Sequence, residues 1–466
     1  MQYGITININ RSSILLMKNW IHKILCIITL LVFVAIFLQG KFHFVDIKNL
    51  NGAEEKIERP KFSFASCKSG EYQAGIERYS KENFGFRESL IRFYHQYLYS
   101  LFGKDATKGF VTGKDKMLFE ESYIISYTGE TFVGMDKIRR NAQQIRLIQD
   151  MLAVHNVTLL TVFAPGKASY YPEMIPDYYF KKADTTNNYR EYVGEFARDS
   201  VNLIDFNKYF CDNKGGFDRA IYCNLGAHWT IYAASLAMDS LARYMEAKTG
   251  REHAYFTIDG FVDSDSLINQ DDDIYKSMNL MFPIKHNRID NPILGFHDGY
   301  KPKALAISDS YWWTVWAWNV AIPQNIFSDG GFWFYNTTIY PERNPVQSID
   351  EIDYRREIED QEFVLLVCTE ATNHLFPFNF CRRYLASYDY SFVAKSPSDY
   401  DAADSLYAAY KQSVLDGIKN EIVSNPEWLD NVKSQAIEKG ITVEESINDN
   451  AAYTYMLRLE PEDLGR

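Results

Sequence analysis

Two residues far apart in the chain have surroundings suited to acyl-transfer chemistry. Ser310 follows the apolar run at 304–308 and precedes a Trp-rich segment at 312–320 with helical character. A hydroxyl at a strand-to-helix junction is exposed at a sheet edge, close to backbone N–H groups that can stabilise an oxyanion. A helix N-cap uses the same residue type at the same place, so Asp309-Ser310 alone leaves both roles open. His228 opens an amphipathic helix beside Trp229 and is the only one of nine histidines so placed. It can act there as a general base or as a hydrogen-bonded structural histidine. Lys167 follows another strand end, where it can meet an anionic or hydroxyl-rich ligand or simply extend into solvent.

These residues need elements to bring them together. Ile138, Ile145, Ile148 and Leu152 fall on one helical face, and 157–164 (VTLLTVFA) is a buried-strand run ending in Pro165-Gly166-Lys167. A helix over 187–198 precedes a strand over 201–206. Ala234, Met238, Leu241 and Met245 then continue the helix that starts after His228, and Gly250 stops it. Residues 251–300 have no clear period and read as an insertion. Their run Asp271-Asp272-Asp273 reads as a solvated charge cluster, with cation binding the alternative. Further strands fall at 304–308, 332–335 and 363–368, and a helical tail follows from 404. Strands alternating with helices predict an α/β fold with a mostly parallel sheet flanked by helices. Ligands in such sheets sit beyond the carboxyl ends of the strands, so Lys167, Ser310 and Thr369-Glu370 share the expected edge.

The chain's 466 residues and 46% apolar content allow a large core and exclude global disorder. A net charge of −12 without any basic run argues against nucleic-acid binding. The six cysteines form no CxxC pair and no zinc-type cluster, so no metal or cofactor is expected. Cys211 and Cys223 are near enough in sequence for a small disulfide loop in an exported protein, and free buried thiols are the commoner outcome. Residues 20–38 (WIHKILCIITLLVFVAIFL) span about 28 Å as a helix, close to a bilayer's hydrocarbon thickness. Arg11 and Lys18 before the run, and Lys23 near its start, favour an N-terminus inside. The reading is an uncleaved signal anchor, with a cleaved signal peptide as the alternative, and Met17 reads as a better start than Met1. The expected organisation is a cytoplasmic segment over 1–19, a span over 20–39, a stalk over 40–66, an α/β domain over 67–400 and a helical appendage over 401–466.

Taken in order, the motifs resemble the SGNH-hydrolase-like polysaccharide O-acetyltransferases typified by AlgX and AlgJ, and the related DHHW-type proteins. Asn83-Phe84-Gly85-Phe86-Arg87 is similar to the family's "fpfR" segment, and Gly113-Lys114-Asp115-Lys116-Met117-Leu118-Phe119 to its "GkdgwLF" turn. The stretch from Pro165 through Lys167 and Tyr170-Tyr171-Pro172-Glu173 to Pro176 resembles "P-x-K-x-x-x-YPE-x-lP". His228-Trp229 matches the end of "D-x-H-W", and Asp309-Ser310 the nucleophile turn. The resemblance implies catalytic Ser310 and His228, with Lys167, Tyr171 and Trp229 contacting substrate. It implies a polysaccharide acceptor outside a bacterial inner membrane and a membrane-bound O-acyltransferase partner as acyl donor. The chain would then be a single-pass protein with its main domain on the periplasmic side. One departure bears on activity: Gly226 stands where the family carries the triad Asp. Either another carboxylate replaces it, with Asp298 and Glu370 as candidates, or the chain is a catalytically impaired relative serving as a glycan-binding or scaffold subunit of polysaccharide export.

Overall fold

The computed structural model describes all residues except 1–10, 53–56, 182–185, 263–265, 269, 318–320, 329, 342–347 and 465–466. Part of the expected cytoplasmic segment and the end of the Trp-rich segment therefore lie outside the described residues. Two units emerge: Met1–Lys108 with Tyr275–Ile284, and Gly109–Ile274 with Lys285–Arg466. The first contains the helix Arg11–Phe42, whose portion Trp20–Phe42 is long and apolar enough to cross a membrane.

Among the described residues the second unit contains the strands β1 (Phe110–Thr112), β2 (Leu118–Glu120), β3 (Thr158–Phe163), β4 (Leu203–Asp205), β5 (Tyr255–Phe261), β6 (Pro292–His297), β7 (Ala304–Ser308), β8 (Gly330–Phe334), β9 (Thr338–Tyr340) and β10 (Phe363–Cys368). The central sheet runs β4-β3-β10-β7-β8-β9 and is parallel except for β9, which pairs antiparallel with β8. Its middle strands are the continuous apolar runs, as expected of strands covered on both faces. All of β7 and β10 is buried. The register pairs Cys368 with Phe163 and Val367 with Ser308, so β3, β10 and β7 end nearly level. That common edge is where a site can form.

The helix Met135–Val154 buries the predicted stripe of Ile138, Ile145, Ile148 and Leu152. The C-terminal region is helical as read, over Ala402–Ser424, Pro426–Lys439 and Val443–Leu459, but these helices are part of the same core. Tyr407, Ile418, Ile422, Tyr455 and Leu459 are buried in one cluster with Ile138 and Ile145. In this division 67–108 falls with the N-terminal helix, and the C-terminal helices fall with the sheet. Residues 251–300, aperiodic in sequence, contain the β5–β6 hairpin and the short helix Asp273–Met278. The six cysteines are free thiols, so Cys211 and Cys223 form no disulfide.

Candidate active site

His228 sits on a loop that closes on itself before its helix begins. Tyr222 and Trp229 form an antiparallel bridge, and Thr230 N–H donates to the Ile221 carbonyl at 2.9 Å. Thr230 then caps the helix Ile231–Thr249 by accepting from Ala233 N–H, and Gly250 closes the helix at φ 65°. Asn224 and Asn287 brace the loop through reciprocal bonds of 2.8 and 3.0 Å between side-chain oxygen and backbone N–H.

Ser310 begins a 3₁₀ turn directly after β7. The turn is held by Asp309, which is buried. One of its oxygens accepts from Tyr311 N–H at 3.0 Å. The other accepts from Thr369 N–H (2.9 Å), Thr369 Oγ1 (2.8 Å) and Thr372 Oγ1 (2.5 Å). A carboxylate with four donors is fixed in place, and it ties the end of β7 to the end of β10. Asp309 is therefore spent on positioning. Ser310 Oγ stands 3.2 Å from His228 Nε2, a distance at which serine can donate to the imidazole.

The other ring nitrogen of His228 faces a carboxylate after all. Nδ1 lies 2.6 Å from Oδ2 of Asp273, whose Oδ1 accepts from Ala227 N–H (2.9 Å) and Ile274 N–H (2.7 Å). Ser310, His228 and Asp273 thus stand in the hydroxyl–imidazole–carboxylate order that a catalytic triad uses. Asp273 belongs to the acidic run read from sequence as solvated, and that reading is corrected here. Its side chain is 30% exposed and its two oxygens serve the histidine loop, while Asp271 beside it is buried and accepts from Ile268 N–H. The two acids suggested by sequence stand elsewhere. Asp298 is exposed after β6, and Glu370 accepts from Ser169 Oγ at 2.6 Å and Ser169 N–H at 3.1 Å. Burial pushes the Glu370 carboxyl up to about 7.

Gly226 is what admits the relocated acid. A Cβ at 226 would clash with the Gln270 carbonyl oxygen and lie 2.7 Å from that of Asp271. These are backbone atoms of the segment that leads into Asp273, so only a residue without a side chain lets that segment pass. The same glycine that removes the motif acid makes room for its replacement.

The electrostatics suit a base. Burial pulls the His228 pKa down, but the Asp273 hydrogen bond and charge outweigh it, and the net shift is upward. The partner shift agrees: burial works against ionised Asp273, yet His228 and the two N–H donors hold its carboxyl below the ordinary value. Glu120, at the end of β2, is a further acid that sequence reasoning passed over. Burial raises its pKa, Ser122 Oγ donates to it at 2.9 Å, and its charge adds to the upward shift of His228. No motif flagged it, because β2 is three residues long.

Two of the three residues expected to contact substrate, Lys167 and Trp229, are buried. Lys167 is fully buried, with its ammonium donating to the carbonyls of Cys223 (2.8 Å) and Gly226 (2.5 Å). Desolvation brings the amine down to about 7. It lies beneath the histidine loop, away from solvent. Trp229 is 2% exposed and packs on Tyr311, 5.5 Å between ring centroids, so it supports the loop from inside. Tyr171 stays partly exposed, set edge-on to Tyr170. Because Lys167 links both ends of 223–226, Lys167→Met should lower kcat by about 10- to 100-fold with little change in KM, as expected when a base is misplaced by a fraction of an ångström. Steady-state kinetics of the variant checks this.

Residues 110–260 match the family model for the SGNH hydrolase-like domain of the acetyltransferase AlgX. That range includes His228 and Gly226 but ends before Asp273 and Ser310. Among solved structures, the O-acetyltransferase domain of Pseudomonas putida AlgJ is 14% identical, with 65% of this chain and 99% of that one covered and a TM-score of 0.39. Pseudomonas aeruginosa AlgX is 13% identical over 57% of this chain and 65% of that one, TM-score 0.38. Bacillus cereus PatB1 is 12% identical over 58% of this chain and 99% of that one, TM-score 0.38. A search of curated protein sequences finds no match.

Proposed function

We propose that this chain, which carries an AlgX-type SGNH-hydrolase-like acetyltransferase domain, O-acetylates an exported or cell-envelope polysaccharide through a Ser310 acyl-enzyme. The observation that carries the reading is the continuous line from Ser310 Oγ through His228 to Asp273, at 3.2 and 2.6 Å. With Asp273 holding the Nδ1 proton in place, Nε2 is free to take the Ser310 proton as Oγ attacks the acyl carbonyl of the donor. The resulting imidazolium returns that proton to the departing donor oxygen, leaving acyl-Ser310. A sugar hydroxyl then attacks the ester, His228 takes its proton, and the acetylated sugar leaves as Ser310 regains a hydrogen. With an acetylated polymer as the donor and water as the acceptor, the same steps would deacetylate that polymer. The alternative of a non-catalytic glycan-binding subunit was motivated by Gly226, and Asp273 removes that motivation.

In this reading the helix ending at Phe42 is a single-pass anchor in a bacterial inner membrane, with the sheet-bearing unit on the periplasmic side. The acyl group would come from a membrane-bound O-acyltransferase. A serine-reactive sulfonyl fluoride should label wild-type protein stoichiometrically at Ser310, located by peptide mass spectrometry, and leave Ser310→Ala unlabelled. Acetyl transfer to polymer should vanish in the same variant; unchanged polymer acetylation in Ser310→Ala would overturn the proposal.

A further inference from the structure

The helix Arg87–Phe102, in the N-terminal unit, has an apolar face that the protein leaves uncovered. Leu90, Phe93, Tyr94, Tyr97 and Leu101 are 43%, 61%, 57%, 46% and 66% exposed. Their spacing of three and four residues gathers them on one sector of roughly 100°. The opposite sector is engaged. Arg92 donates to the Asn49 carbonyl at 2.7 Å, His95 Nδ1 lies 2.7 Å from the Met278 carbonyl, and Gln96 accepts from Phe282 N–H at 3.0 Å. The polar side is thus fixed inside its own unit while the aromatic side is left bare, the reverse of ordinary helix packing. So large an aromatic face on a soluble surface marks a site of contact.

The surroundings say what covers it. The helix begins where the apolar helix Arg11–Phe42 ends. Gly85 is buried against that end, and a Cβ there would stand 2.5 Å from the Gly40 backbone nitrogen. Phe44, just past the apolar helix, meets Phe86 edge-on at 6.0 Å. Gln39 closes the exit by bonding Val45 through both its amide groups, at 2.7 and 3.0 Å. The motif Asn83-Phe84-Gly85-Phe86-Arg87 therefore joins the end of the apolar helix to the start of the exposed face. Aromatic side chains on such a helix are suited to the zone between headgroups and acyl chains.

We propose that the helix Arg87–Phe102 lies on the lipid surface, with its Leu90–Leu101 face in the headgroup–acyl boundary beside the exit of the N-terminal apolar helix. The inference rests on the reading of that apolar helix as a membrane anchor. Its consequence is a second, peripheral contact with the bilayer that restricts the motion of the chain next to its anchor.

Photo-crosslinking of the full chain tests it in vesicles of phosphatidylethanolamine and phosphatidylglycerol. p-Benzoylphenylalanine replaces, one at a time, Tyr97 on the exposed face, Glu88 on the opposite sector and Leu30 within the apolar helix. The expected result is a phospholipid-mass adduct at positions 97 and 30, absent at 88. An adduct at 30 without one at 97 overturns the proposal and leaves the anchor standing. A crosslink from 97 to a second copy of the chain also overturns it, because protein then covers the face. Lipid adducts at neither 97 nor 30 overturn both the proposal and the anchor, and an adduct at 97 without one at 30 overturns the proposal as stated, because the face then meets lipid without the anchor on which it rests.

Discussion

Asp273→Asn is expected to lower acyl-transfer turnover by about 10⁴-fold while leaving the fold and the reactivity-independent binding of substrate intact, since this is the usual cost of losing the orienting carboxylate of a triad. The carboxylate does two things here. It accepts a hydrogen bond from Nδ1–H of His228 at 2.6 Å, which fixes the tautomer, and in the proposed reaction it would stabilise the imidazolium formed when Ser310 gives up its proton. The amide can present its NH₂ to Nδ1, which stabilises the wrong tautomer. The pH profile separates this from a general loss of structure. His228 works as a base only when neutral, and Asp273 raises its pKa above the ordinary 6.5. Wild-type kcat/KM should therefore fall with decreasing pH through an apparent pKa above that value. In Asp273→Asn the burial that opposes the charged ring is left without its main counterweight, so the acid limb of the residual activity should move to lower pH. A residual activity whose acid limb stays in place, or a loss below tenfold, would show that the carboxylate does not govern the imidazole.

Much of the sheet was legible from sequence because parallel central strands are continuous apolar runs: 304–308 and 363–368 coincide with β7 and β10. The antiparallel edge strand β9, three residues long, gave no such signal. Ser310 and His228 were legible for a related reason, since each stands at the junction between a periodic element and a turn. Asp273 was not. It reaches His228 from 45 residues away on a segment without periodicity, and three adjacent acids look solvated until something buries them. Lys167 was misread for the opposite reason. A lysine after a strand end is ordinarily solvated, and nothing local reveals that two carbonyls of a distant loop receive its ammonium. The one sequence feature that pointed to the relocation was Gly226 itself. A glycine where a motif carries a functional side chain can mean loss, but it can equally mean that another backbone comes close at that point.

That distinction leads to the second large effect. Placing at 226 the aspartate of the motif this stretch resembles, Gly226→Asp, should abolish the proposed activity, with turnover falling about as far as in Asp273→Asn, on the order of 10⁴-fold. The new Cβ would collide with the Gln270 carbonyl and press on that of Asp271, so 270–273 must retreat and carry Asp273 off His228. Overpacking against backbone typically costs about 1–3 kcal/mol, so a lower unfolding temperature should accompany the loss. Gly226→Ala separates sterics from charge, because it brings the clash without the carboxylate, and it should be nearly as damaging. Gly226→Asp combined with Asp273→Ala should remain inactive as well, since the clash is with backbone that both variants keep. Measured turnover and thermal unfolding of the three variants decide the matter. If the double variant worked at the wild-type rate, the loop could yield and either position could supply the acid. If it did not, the acid's place in this chain is set by the backbone path through 270–273, and an aspartate at 226 and that path exclude one another.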